Sequence, residues 1–160
     1  MTILFSNPPW WEGKESRGFL KKKRWRRGVR AGSRWPFTYL GRCSPDNLRA
    51  RDYVPYPFFL GYAASFIQKE IGKNNVFFRD SIALAESYNS YFDYLEKIQN
   101  KLEYILIESA TPSWDHDFDL IKKIKSKYPH IKIIVAGPIS FKSSLVLENK
   151  IIHAAIKGEY

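Results

Sequence analysis

The chain has 160 residues, enough for one domain with a single core and too few for two. Its 44% apolar and 16% aromatic content excludes a disordered polymer, and no apolar run approaches the roughly 20 residues of a membrane helix. The formal charge of +10 is local: residues 12–54 hold 13 Lys and Arg against four Asp and Glu, a net of +9, whereas residues 55–160 hold 13 against 12.

The first apolar run, residues 2–6, is β-rich and stops at Asn7-Pro8-Pro9, which predicts a buried strand ending in a loop. These opening residues lack a basic leader, an apolar stretch and a small-residue cleavage site, so the expectation is a cytoplasmic protein with no membrane span. Residues 10–54 show neither helical nor strand periodicity and are rich in Gly, Arg and Trp, which predicts a long, basic inserted loop. Cys43, inside it, is the one cysteine of the chain. An internal disulfide is thereby excluded, as is any zinc site or cluster built from several of the chain's own thiolates.

After Pro55-Tyr56-Pro57 the pattern changes. Phe59, Leu60, Tyr62, Ala63, Phe66, Ile67 and Ile71 are spaced as an amphipathic helix closed by Gly72. Val76-Phe77-Phe78 predicts a second strand, residues 88–100 a second helix with Tyr91, Leu95 and Ile98 on one face, and Tyr104-Ile105-Leu106-Ile107 a third strand. Residues 114–128 predict a third helix, its first turns carrying Asp115, Asp117 and Asp119 and its end Lys122, Lys123, Lys125 and Lys127, as the helix dipole favours. Residues 131–136 predict a fourth strand ending at Gly137-Pro138. A short helix over 143–148 then leads to a fifth strand at 152–156. The expected fold is a single α/β domain over 1–160, a flavodoxin-like, Rossmann-like five-stranded parallel sheet with helices on both faces.

Ligands of such sheets lie beyond the carboxyl ends of the strands, at the switch in strand order. The loops of interest are therefore Asn7-Pro8-Pro9, Asp80-Ser81, residues 108–113, Gly137-Pro138 and Gly158-Glu159. Ser109, Thr111 and Ser113 offer hydroxyls to an amide-rich or phosphate-bearing ligand, or equally cap the following helix. Gly137 permits close backbone approach to a ligand, or simply a turn. Glu108 is either a proton-transfer group or a hydrogen-bonded loop residue. His116, His130 and His153 have no metal-ligand partner at helical spacing and read as structural or solvated.

Read in order, four stretches resemble the amino-terminal cobalamin-binding domain of cobalamin-dependent radical S-adenosylmethionine enzymes. They are Ile3-Leu4-Phe5-Ser6-Asn7-Pro8-Pro9, the run from Pro55 through Gly61-Tyr62-Ala63-Ala64 to Arg79-Asp80, residues 131–138, and Ile156-Lys157-Gly158-Glu159. Gly28-Val29-Arg30-Ala31-Gly32-Ser33-Arg34-Trp35-Pro36 is similar to a stretch in some members of that group. The resemblance implies a corrin face lined by Asn7, Pro8, Pro9, Ser109, Thr111, Ser113, Gly137 and Pro138, with Gly158 and Glu159 orienting the cofactor or the next domain. It implies methyl transfer or related radical chemistry in which this chain is a module rather than a complete catalyst. S-adenosylmethionine and the iron-sulfur cluster would belong to a catalytic radical domain beyond residue 160, in cis or in trans. The Asp-x-His-x-x-Gly loop of other cobalamin domains is absent, since Asp115-His116-Asp117 lacks the glycine, so cobalamin would bind without a protein histidine ligand.

Lys21-Lys22-Lys23-Arg24-Trp25-Arg26-Arg27 interleaves an aromatic with cations, the composition that phosphate neutralisation and base stacking require. Lys21, Lys22, Lys23, Arg24, Arg26 and Arg27 are thus candidate contacts to an anionic partner. They support an alternative in which residues 21–34 make the chain a nucleic-acid-binding or assembly module; a solvated basic surface is the plain reading. No phosphate-loop or dinucleotide fingerprint is present, and the first strand ends without the acidic pair of a phospho-acceptor site.

Overall fold

A computed structural model describes residues 1–15, 23–27, 56–84 and 86–158, with residues 11–15 and 23–27 described by their backbone. Five strands form one parallel sheet: β1 (Ile3–Asn7), β4 (Val76–Asp80), β5 (Tyr104–Glu108), β6 (Lys132–Ala136) and β7 (Ala154–Ala155), in the spatial order β4-β1-β5-β6-β7. Counting only these strands, the order is 2-1-3-4-5, the flavodoxin-like doubly wound arrangement. The chain reverses direction across the sheet at β1, so the switch point lies between β1 and β5.

Alternation along each strand assigns the two faces. Leu4, Ile105, Ile107, Ile133 and Val135 pack with Tyr91 and Leu95 of α2 (Tyr88–Ile98), Leu120, Ile121 and Ile124 of α3 (Trp114–Lys127), and Val146 of α4 (Ser143–Leu147). Ile3, Phe5, Leu106 and Ala136 face the other way, toward Leu60 and Ala64 of α1 (Phe58–Ile71). Burying each such Leu or Ile side chain stabilises the fold by about 1.5–3 kcal/mol. Ser87 caps α2, its hydroxyl accepting the Ser90 amide, and α1 ends at Gly72, the residue the sequence predicts, with φ of 88°.

Three expectations need correction. First, the segment 10–54 is not all loop: β2 (Trp11–Glu15) and β3 (Lys23–Arg27) pair antiparallel. Polar residues occupy both faces of WEGKE and KRWRR, so no apolar alternation marks either strand. Residues 16–22 and 28–55 lie outside the described residues. Second, the buried face of α1 is narrower than its apolar spacing implies. Leu60 and Ala64 are buried, with Ala63, Ile67 and Ile71 packed partly against the core, whereas Phe59, Tyr62 and Phe66, at i, i+3 and i+7, stay exposed. Third, the fifth strand shrinks from 152–156 to two residues, although the His153 and Ile156 amides still reach Ile133 and Val135 carbonyls at 2.8 and 2.9 Å.

Candidate cofactor crevice at the strand ends

At the switch point β1 delivers Asn7 and β5 delivers Glu108, both buried. The Asn7 amide nitrogen donates to Asp80 Oδ1 at 2.9 Å. The same Asp80 oxygen accepts the Ile82 and Ala83 amides, while the Asn7 carbonyl accepts from Ser81. Asn7 is thereby fixed to the turn after β4. Its side-chain oxygen is buried and accepts no hydrogen bond from the described residues. Pro8, Pro9 and Trp10 follow, also buried, and the Trp10 indole lies 5.9 Å from the His116 ring.

Ser109 and Ser113 are fully buried, and both direct their hydroxyls at Asp117 Oδ2, at 2.6 and 2.7 Å. Ser113 Oγ also accepts the Ala110 amide, which fastens the turn ahead of α3. Asp117, expected only to complement the helix dipole, is itself fully buried and gathers the loop after β5 onto the first turn of α3. The spacing Ser113-x-x-x-Asp117 is a one-turn helical pair readable from sequence. The Ser109 partner is not, because it depends on the path of the intervening loop.

Gly137 follows β6 with φ of 86°, and a Cβ there would stand 2.6 Å from the Ser109 carbonyl oxygen and 3.2 Å from Glu108 Cγ. This glycine lets the loops after β5 and β6 touch: Ser109 N donates to the Ala136 carbonyl, and Ile139 N to that of Ser109. Thr111 and Pro138 are exposed. Gly158, with φ of 98° and open space where a Cβ would stand, follows β7, two strands from β5. Asn7, Pro8, Pro9, Ser109, Thr111, Ser113, Gly137 and Pro138 therefore belong to the ends of three adjacent strands and their loops, with Gly158 farther off. Glu159, Lys21 and Lys22 lie outside the described residues. Lys23, Arg24, Arg26 and Arg27 fall on β3.

At the end of β4, Glu86 binds Arg79 through both carboxylate oxygens and accepts the Ser81 hydroxyl at 2.7 Å. The Glu86 hydrogen bond holds the Arg79 guanidinium above its ordinary pKa, and Arg79 lies 4.2 Å over the Tyr94 ring. Burial raises the Tyr94 phenol in turn. These contacts brace the strand end rather than open a site. Among the described residues no three His, Cys, Asp or Glu side chains gather to hold a metal ion.

A groove of about 660 Å³ lies elsewhere, on the α1 face near the strand starts, between Tyr62 and Phe66 of α1 and Ile3, Tyr104, Ile134 and Ala154 of the sheet. Its lining is almost wholly apolar, so it is a stretch of sheet that α1 leaves uncovered rather than a polar binding site. No helix among the described residues is long and apolar enough to cross a membrane. Comparison with protein-family models, curated proteins and solved structures gave no match.

Proposed function

We propose that the chain is a cobalamin-binding α/β domain, with the corrinoid lying across the carboxyl ends of β1, β5 and β6. The observation that supports a ligand there is Asn7, whose buried side-chain oxygen stands at the switch point without a donor from the described residues. A buried acceptor left unmatched costs about 1–3 kcal/mol, which a ligand N–H would relieve. A corrin carries peripheral amides that donate such bonds. Its identity rests on the ordered resemblance of the strand-end stretches, and the fit to Asn7 agrees with it.

In this reading Asn7 accepts an amide N–H of the ligand, and Pro8 and Pro9 wall the crevice without adding competing donors. Thr111 offers an exposed hydroxyl. Ser109 and Ser113 act from behind by fixing the loop through Asp117. When bound, cobalamin supplies a cobalt-bound methyl group for transfer. The radical step belongs to a radical S-adenosylmethionine domain acting in cis or in trans. The test is gel filtration of the chain mixed with hydroxocobalamin. Corrin absorbance should travel with the protein and weaken at least about fivefold in retention for Asn7→Ala; a wild-type chain that retains no corrin refutes the assignment.

A further inference from the structure

We propose that the β2–β3 hairpin is a binding surface for single-stranded nucleic acid, distinct from the strand-end crevice. Cross-strand partners in an antiparallel pair share a face, and the register is Trp11 with Arg27, Glu12 with Arg26, Gly13 with Trp25, Lys14 with Arg24 and Glu15 with Lys23. One face thus holds Trp11, Gly13 and Glu15 with Arg27, Trp25 and Lys23, and the other holds Glu12 and Lys14 with Arg26 and Arg24.

Two features of that register select the partner. On the first face Trp25 lies between Lys23 and Arg27, each two residues away along β3, about 7 Å at strand rise, with Glu15 opposite Lys23 and Trp11 opposite Arg27 in register. Its cross-strand partner is Gly13, which brings no side chain to the pair. A tryptophan paired in register with a glycine, with a basic residue two positions away on either side along its strand, is the sequence and register pattern that suits stacking of an unpaired base and neutralisation of the phosphates flanking it. A duplex keeps its bases stacked on one another, and the Asp and Glu side chains of an acidic peptide bring no aromatic ring to stack there. The opposite face has three cations against one carboxylate and adds the long-range attraction such binding needs. Only Pro8, Pro9 and Trp10 separate β2 from β1, so at most about 14 Å of chain joins the hairpin to the crevice rim.

The test titrates the full chain against a fluorescently labelled 12-nucleotide oligothymidine strand, a duplex of equal length, and heparin, all by anisotropy. The single strand should bind with an affinity falling linearly in log salt, and the Arg24→Gln, Arg26→Gln double variant should flatten that slope. Trp25→Thr, which keeps strand propensity but removes the ring, should weaken oligothymidine binding about five- to hundredfold while changing heparin binding less than about twofold. Trp25→Phe should stay close to wild type. Equal loss in both Trp25 variants, unchanged binding in Trp25→Thr, equal affinity for duplex and heparin, or no binding at low salt would each overturn the proposal. Corrin retention by the same preparation is read separately, so failure of one assignment leaves the other standing.

Discussion

Ser6 on β1 and Tyr91 on α2 join hydroxyls at 2.7 Å, both side chains fully excluded from solvent. This is a polar tie through an otherwise apolar layer between β1 and α2, one step before Asn7. Either oxygen can be the donor, and the Ser6 hydroxyl depends on Tyr91 for this bond. Tyr91→Phe should lower unfolding free energy by about 1–3 kcal/mol, because the Ser6 hydroxyl is then buried without that partner. The Ser6→Ala, Tyr91→Phe double variant should lose less than the sum of the single losses in urea denaturation. Strict additivity would show that the two hydroxyls do not interact.

Asp117 accepts two buried hydroxyls on one oxygen. Asp117→Ala should cost at least about 2 kcal/mol of stability in the same assay, since the buried Ser109 and Ser113 hydroxyls then lose their shared acceptor. Ser113→Ala alone should cost less, because Ser109 keeps its bond. A silent Asp117→Ala would remove this carboxylate as the fastening of the loop after β5.

Gly137 and Gly158 form a matched comparison. Both have positive φ, but only Gly137 has backbone where a Cβ would stand. Gly158→Ala should cost about 1–2 kcal/mol from backbone strain, and Gly137→Ala clearly more, since the Ser109 carbonyl must also move. Equal thermal shifts would mean that the loop contact has no steric consequence.

The Glu96 carboxylate is held below its ordinary pKa, first by the Lys127 hydrogen bond and then by that of Tyr128, at 2.7 and 2.8 Å, tying α2 to α3. A carboxylate whose folded pKa is depressed binds protons more weakly in the folded chain. Its contribution is therefore present above the ordinary glutamate value of about 4.3 and lost as pH falls through the lower folded value. The stability difference between wild type and Glu96→Gln, measured by urea midpoint, should shrink in acid and be largest near neutrality. A difference independent of pH would exclude this pair as a source of acid sensitivity. Exposure and salt screening keep the effect small.

Buried strands and helices were legible because each is an apolar run or a 3.6-residue stripe: Ile105 and Ile107, or Leu120, Ile121 and Ile124, must face a core. The β2–β3 hairpin was not, because its pairing is set by cross-strand register and not by an apolar face. The outward placement of Phe59, Tyr62 and Phe66 was likewise hidden, since hydrophobicity says that a residue can be buried but not which neighbour buries it. At the candidate site the loops could be located from strand ends alone. The roles of Ser109 and Gly137 could not, because each depends on a backbone brought near from another loop.

The strand order also sets a timetable for synthesis. β1 sits between β4 and β5, and its register partners run from Val76 to Asp80 and from Tyr104 to Ile107. β1, which has a strand on each side, is thus made roughly 100 residues before its second neighbour. At a translation speed of about 5–20 residues per second, Ile3-Leu4-Phe5 waits on the order of 5–20 s before strands exist for both of its edges. During that interval this apolar triplet is the segment most exposed to premature association, and a chaperone that shields it would raise the yield of folded chain more than one acting on the helices.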